Sequence, residues 1–146
     1  MPDEETLERA EEDKEEGKSP STQAGEFVKE EMDHIREGKH GARSTKQAIA
    51  IGLSKARRAG VDLPAPKGVS KRTRDQAARD SRKGKSSKKQ KPSAKRSRAT
   101  SKALKREGRS AASKSALSRQ AKSAAAKRSA AARSRSAKKA AKTRKK

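Results

Sequence analysis

The sequence predicts a mostly disordered chain with a small all-α element, a helical hairpin flanked by an acidic head and a long basic low-complexity tail. Only 27% of the 146 residues are apolar and 41% are charged. Such a composition is typical of disordered proteins, because too little apolar surface can be buried to offset the entropy of ordering. Charge is also segregated: residues 1–37 carry 14 acids and five bases, 38–66 carry six bases and one acid, and 67–146 carry 31 bases and three acids.

These shifts in composition divide the chain into four segments. Residues 1–25 are predicted to form an acidic head and linker, disordered or transiently helical, and residues 26–60 to form the hairpin. Residues 61–80 are predicted to form a basic linker that could hold one short helix, and residues 81–146 to form a disordered Lys-, Arg-, Ala- and Ser-rich tail.

The acidic head has little to bury. Residues 3–16 contain nine acids, and Leu7 is their one large apolar side chain. The i to i+4 pair Glu5 and Arg9 supports a helix, but an isolated helix of this length is marginal in water. Residues 17–25 are small, polar and helix-breaking, which indicates a linker. The head is either a solvated extension or a segment that folds back on the tail and competes with DNA.

The first helix of the hairpin is predicted over residues 26–37. Val28, Met32 and Ile35 fall at i, i+4 and i+7, which is one apolar stripe of about three helical turns. Gly38 is predicted to end this helix.

The second helix is predicted over residues 45–59. Ser44 and Gln47 have the spacing of a capping box, and Gly60 suits a left-handed cap after the last turn. Gly52 would let another backbone come close. The apolar stripe comprises Ile49, Leu53 and Ala56. Because so few apolar side chains offset the ordering entropy poorly, we expect the hairpin either to be marginally stable or to fold together with a second copy or a partner protein.

The basic tail predicts a polyanionic partner. Of the 66 residues in 81–146, 56 are Lys or Arg, Ala or Ser, a low-complexity composition that is disordered in isolation and could become helical once phosphates cancel the repulsion. Lys and Arg that replace condensed counterions bind duplex DNA with little sequence dependence. Residues 67–146 contain no aromatic side chain, so stacking on single-stranded bases is disfavoured.

These observations favour a non-enzymatic protein that binds DNA through phosphate neutralisation, in an architectural or nucleoid-associated role in the cytoplasm. Duplex DNA is favoured over RNA as the nucleic-acid partner. Two alternatives stay open. One is an RNA- or ribosome-associated basic protein, and the other is a protein-interaction module with a polybasic anchor.

The candidate phosphate contacts are basic side chains in three settings. The first group surrounds the start of the second helix, where free N–H groups and the helix dipole attract phosphate; the second lies in the last turn of that helix, and the third in the linker and tail. The full set is Lys39, Arg43, Lys46, Lys55, Arg57, Arg58, Lys71, Arg72, Arg74, Lys88, Lys89, Lys95, Arg96, Arg98, Lys105, Arg106, Lys127, Arg128, Lys138, Lys139, Arg144, Lys145 and Lys146.

The sequence predicts no catalytic residue, no metal site and no cofactor. Cysteine is absent, and the serines have no scaffold that would hold a histidine beside them. His34 and His40 are expected to be solvent-exposed, and a metal there would need a carboxylate such as Asp33 or Glu37. The first residues are acidic, unlike a signal peptide, and the longest apolar run, 48–53, has six residues. We therefore expect a cytosolic chain without a membrane span.

Two resemblances add to these predictions. Residues 38–60, with the core Lys-Gln-Ala-Ile-Ala-Ile-Gly-Leu-Ser, resemble the central motif of an uncharacterised family of small basic bacterial proteins, some labelled plasmid-stabilisation-like. This resemblance covers about a sixth of the chain and implies no established activity or catalytic residues. The composition of the tail resembles that of linker-histone and bacterial histone-like tails, which implies DNA binding and condensation.

Overall fold

A computed structural model describes residues 1–88 and 91–145 as α-helices joined by turns and loops. The α-helices are α1 (Glu4–Glu15), α2 (Pro20–Arg36), α3 (Thr45–Arg58), α4 (Lys71–Lys85), α5 (Ala94–Lys105), α6 (Lys114–Ala126) and α7 (Ala130–Arg144). A 3-10 turn, η1 (Ser110–Ala112), precedes α6. The prediction of a mostly disordered chain is therefore wrong: the described residues form an all-helical fold, and the hairpin is one part of it.

Serine side chains begin five of the seven helices. Ser19, Ser44, Ser70, Ser113 and Ser129 each accept a hydrogen bond from the backbone N–H three residues later. Such caps satisfy N–H groups that have no partner within the helix. Two of the five, Ser113 and Ser129, lie in the region predicted to be a disordered low-complexity tail. That prediction is corrected, because these serines cap the starts of α6 and α7.

The acidic head is a packed helix. Ala10 of α1 is buried against Phe27 and Ala24 of α2 and Ala56 of α3, in a cluster that Val61 completes. Phe27 is 1% exposed. The prediction of a disordered or transient head is corrected because the small Ala10, at the centre of an otherwise charged helix, lets α1 lie close to α2.

The hairpin helices agree with the predicted pattern in most details. Helix α3 begins at Thr45, with Ser44 as its cap, and Gly38 and Gly60 adopt positive φ of 79° and 103° after α2 and α3. Helix α2 differs because it begins at Pro20, within the segment predicted to be a linker. Proline suits the first turn, where its missing N–H costs nothing.

A second cluster joins the tail to the hairpin. Ala111 and Ala112 of η1 are buried against Met32 and Ile35 of α2 and Ala48 of α3. Their carbonyl oxygens accept hydrogen bonds from the hairpin, Ala111 from Thr45 Oγ1 at 2.7 Å and Ala112 from Arg36 Nε at 3.0 Å. The tail thus completes the core that the hairpin alone leaves open, which is the physical reason for the wrong prediction of disorder.

Helices α4, α5 and α7 differ in how closely they are held to the rest of the fold. Helix α4 packs on α3, and Gly84 lies so close that a Cβ there would come within 2.0 Å of Arg57 O. The end of α5 is tied to the turn after α2, because Gly41 N donates to Leu104 O at 2.9 Å and Ala42 N to Gly108 O at 3.1 Å. No residue of α5 or α7 is buried within the part of the chain that the structure describes.

Candidate nucleic-acid interface

Exposed positive charge covers helices α4 to α7. Residues 67–146 contain 31 Lys and Arg, of which 29 remain when Lys89 and Lys146, outside the described residues, are set aside. Every one of these 29 side chains belongs to an exposed residue. Among the described residues, Lys85 alone of this group has a carboxylate within salt-bridge distance, with Asp62 at 3.4 Å. We call these 29 side chains the cationic surface.

The three acids of residues 67–146 do little to offset this surface. Asp80 is 1% exposed, and Arg58 Nε donates to its Oδ1 at 2.8 Å. Glu107 Oε1 lies 3.9 Å from Arg43 Nε. Asp75 is exposed on α4. The field of the cationic surface is therefore nearly uncompensated, which favours binding of a polyanion.

The predicted phosphate contacts from residue 71 onward fall on this surface wherever the structure describes them. Lys89 and Lys146 lie outside the described residues. The exposed ones are Lys71, Arg72, Arg74, Lys88, Lys95, Arg96, Arg98, Lys105, Arg106, Lys127, Arg128, Lys138, Lys139, Arg144 and Lys145.

An open cleft of about 300 Å³ lies between the start of α3 and one side of α6. Lys46 lines it from α3, and Arg119 and Gln120 line it from α6. The free N–H groups at the start of α3 add a positive potential. Sequence reasoning predicted Lys46 but missed Arg119, since nothing in the local sequence indicates that α6 packs beside α3.

The basic residues in the last turn of α3 are engaged inside the fold. Lys55 Nζ lies 2.7 Å from Glu31 Oε2 and 3.3 Å from Glu30 Oε1. Burial alone would lower the pKa of Lys55, but these carboxylates outweigh it and raise that pKa above its ordinary value. Arg57 is 7% exposed, and its Nε donates to Leu63 O at 2.8 Å.

Arg58 and Lys39 also have carboxylate partners. Arg58 holds Asp80, as described above, and Lys39 Nζ lies 3.2 Å from Glu37 Oε2. Arg43 is exposed, near Glu107. Of the predicted contacts within the hairpin, Arg43 and Lys46 are thus the most accessible to a phosphate.

The acidic side chains of the head form salt bridges with basic side chains that also lie within the first 55 residues. Arg9 binds Glu5 and Glu26, and Lys18 binds Asp13 at 2.8 Å. Among the described residues, no salt bridge joins an acid of residues 1–37 to a cation of the tail. The head does not neutralise the cationic surface by direct contact in this structure.

The hairpin region has a recognised family likeness. A family model described as a family of unknown function (DUF6496) matches residues 17–67, which span α2, α3 and the turn between them. This is about a third of the chain, and the description names no activity. No curated protein and no solved structure matches the chain. None of the described helices combines the length and apolar character needed to cross a bilayer.

Proposed function

We propose that this protein is a non-enzymatic DNA-binding protein that contacts duplex phosphates, largely independently of sequence, through its cationic surface. The observation that supports this most directly is the number of exposed cations: of 29 described Lys and Arg in residues 67–145, one has a carboxylate partner. Cations without a carboxylate partner are free to replace the counterions condensed on duplex phosphates, and the release of those counterions favours binding at low salt.

Helical order gives these cations a fixed arrangement. A 15-residue helix such as α7 is about 22 Å long, comparable to several phosphate spacings along a duplex. Since its backbone is already ordered, less conformational entropy is lost on binding than for a disordered tail. We propose that α4 to α7 lie along the phosphate backbone.

The cleft between α3 and α6 is the best candidate for a defined phosphate contact within this surface. It combines a capped helix start with Lys46 and Arg119. Lys55, Arg57 and Arg58 are left out of the proposed interface, because each would have to break a contact inside the fold to reach a phosphate.

The proposal is tested by the salt dependence of binding to a duplex DNA of random sequence. The variant Lys138→Gln, Lys139→Gln, Arg144→Gln removes three exposed cations of α7, and the matched variant Lys14→Gln, Lys18→Gln, Lys29→Gln removes three cations from the acidic residues 1–37. If each α7 side chain contacts one phosphate, the slope of log K against log salt becomes shallower by about 2.7. The matched variant should keep the slope of the unmodified protein.

Equal changes in the two variants would contradict the proposed interface, because net charge alone would then explain binding. Parallel titrations with duplex RNA separate the leading proposal from its alternative. Tighter binding to RNA than to DNA at every salt concentration would favour the RNA-associated reading.

A further inference from the structure

A cluster of histidines and carboxylates links α2 to the turn that follows it. Glu31 is 1% exposed, and the side chains of His34 and His40 are 13% and 16% exposed, so the predicted exposure of both histidines is corrected. Each of the three residues offers a ligand atom within 4.8 Å of the others. His40 Nε2 lies 2.8 Å from Glu31 Oε1, and the two imidazole rings are 6.2 Å apart at 81°.

The contacts of His40 direct its Nε2 toward the Glu31 carboxylate. Its Nδ1 lies 2.9 Å from Gly41 O, and because a carbonyl only accepts hydrogen bonds, Nδ1 carries the hydrogen. Nε2 faces the Glu31 carboxylate, which as an ion also only accepts. Nε2 of His40 and Oε1 of Glu31 are therefore facing donor atoms that can bind the same metal ion.

The carboxylate of Glu31 can also accept more hydrogen bonds than it receives. Its Oε2 is buried and has no hydrogen-bond partner of good geometry among the described residues, although Lys55 Nζ lies 2.7 Å away. Lys55 is therefore the ion-pair partner of this oxygen. The same carboxylate faces His40 through Oε1 and keeps lone pairs that can bind a metal ion.

The local charge balance is negative by two. Asp3, Glu30 and Glu31 are three carboxylates. Apart from the histidines, Lys55 is the one cation among the described residues that lies within salt-bridge distance of any of them. Asp3 Oδ2 lies 3.1 Å from His34 Nε2. One divalent ion would restore neutrality.

We propose that Glu31, His34 and His40 bind a divalent transition-metal ion, with zinc as the best fit. Two imidazoles and one glutamate are a donor set that zinc accepts with a fourth position left to water. Ligand atoms around tetrahedral zinc lie about 3.4 Å apart, from bonds of about 2.0 to 2.1 Å. Ligand atoms that already lie within 4.8 Å therefore reach this geometry by small side-chain movements.

Outer contacts that orient metal ligands are already in place. The hydrogen bond from His40 Nδ1 to Gly41 O directs Nε2 toward Glu31, and the Lys55 ammonium holds the far oxygen of the Glu31 carboxylate. Such partners fix ring orientation and support ligand affinity.

An acidic cleft of about 140 Å³ gives an ion a route to His34. Six carboxylates and three basic side chains line it, so its mouth attracts cations. His34 and Glu30 lie at its inner side, and Glu30 is 6% exposed.

The ion would strengthen the attachment of the tail. His40 lies in the turn whose Gly41 and Ala42 N–H groups bind the carbonyls of Leu104 and Gly108. Joining His40 to α2 would fix this turn, and with it the docking of α5 and η1. The inference does not depend on DNA binding.

The experiment measures zinc binding by the full-length, chelator-treated protein in competition with a chromophoric chelator. We expect one equivalent to bind, and cobalt to give the visible absorption of a four-coordinate ion. His40→Gln and His34→Gln should each weaken binding at least 100-fold, beyond the roughly 10- to 100-fold expected for an outer partner. Zinc at 100 times Kd should raise Tm of the unmodified protein by about 5 to 10 °C.

Asp33→Asn and Glu37→Gln are the matched controls, because they remove neighbouring carboxylates that do not belong to the three-residue cluster. Both carboxylates line the acidic cleft, so each variant should weaken binding far less than the 100-fold expected for the histidine variants. Circular dichroism checks that each histidine variant keeps its helix content. Substoichiometric binding by the unmodified protein, or an equal loss in the control variants, would overturn the proposal.

Discussion

Asp80 shows how a single residue links helix α4 to the hairpin. It is 1% exposed on α4, and its carboxylate accepts hydrogen bonds from Ser54 and Arg58 of α3 and from Gln76 of α4. Burial alone would raise the pKa of Asp80, but the hydrogen bonds outweigh it and the pKa is lowered from its ordinary value. The charged form is therefore the one that stabilises the fold.

Asp80→Asn should lower the free energy of unfolding at pH 7 by about 1.5 to 3 kcal/mol, the range for hydrogen bonds to a charged group. Asp75→Asn, which removes an exposed acid from the same helix, should change it by less than about 0.5 kcal/mol. Denaturant titrations followed by circular dichroism measure both values.

The same side chain gives a pH dependence of known sign. Because the pKa of Asp80 is lower in the folded state, its contribution is complete above the unfolded pKa of about 3.9 and is lost as pH falls through the folded value. The stability difference between the unmodified protein and Asp80→Asn should therefore shrink below pH 4. A difference that stayed constant down to pH 2 would contradict this account.

At the scale of elements, the packing of α2 against α3 depends on one glycine. A Cβ at Gly52 would lie 2.7 Å from Val28 Cα and 3.0 Å from Val28 N, which are backbone atoms that cannot turn away. The two helices therefore approach more closely than any larger residue would allow. This short separation brings Phe27 and Ala56 into one buried cluster.

Gly52→Ala should destabilise the protein by about 1 to 3 kcal/mol, because overpacking outweighs the gain of up to about 1 kcal/mol in helix propensity. Gly25→Ala is the matched control within α2, where no heavy atom of the described residues lies within 4 Å of the added Cβ. There the propensity gain is unopposed and stability should rise by about 0.4 to 1 kcal/mol. Thermal and denaturant unfolding would show shifts of opposite sign.

At the scale of the whole molecule, the basic half divides into parts that complete the core and parts that carry charge. Ala112 of η1 is 0% exposed and lies with Met32 and Ile35, whereas α7 buries none of its described residues. A tail that was wholly disordered would show no such difference along its length.

Ala112→Asp should lower the free energy of unfolding by about 3 to 5 kcal/mol, since it places an unpaired charge in the core. Ala131→Asp makes the same change at an exposed site in α7 and should have almost no effect. Unfolding monitored by circular dichroism tests the pair. Indistinguishable transitions for the two variants would mean that η1 is not part of the folded core.

The sequence predicted best those parts of the fold whose interacting residues lie close together along the chain. The starts and ends of α3, the end of α2 and the approach at Gly52 follow from a few neighbouring residues, and the sequence predicted them. The packing of α1 and the docking of η1 depend on alanines whose partners lie far along the chain. A single alanine carries no local signal of burial, so both segments were predicted to be disordered.

The candidate sites divide in the same way. Local charge was enough to predict the cationic residues of α4 to α7, because counting Lys and Arg needs no tertiary information. Arg119 beside Lys46 was missed, and so was Glu31 beside His40, since each pair is formed by helix packing or by a turn. Asp33 and Glu37 seemed the better neighbours of the histidines by chain position, yet Glu31 is the carboxylate that shares their buried cluster.

By itself the sequence determined the net charge of +24, its segregation along the chain and the helical hairpin. These properties depend on composition and on contacts within a few residues. The tertiary structure decided which charges are engaged within the fold and which are not. Lys55, Arg57 and Arg58 contact Glu31, Leu63 O and Asp80, while the described cations of α4 to α7 stay exposed. Burial depends on which distant surfaces meet, and the free energy of a charge depends on the solvent and partners it finds there.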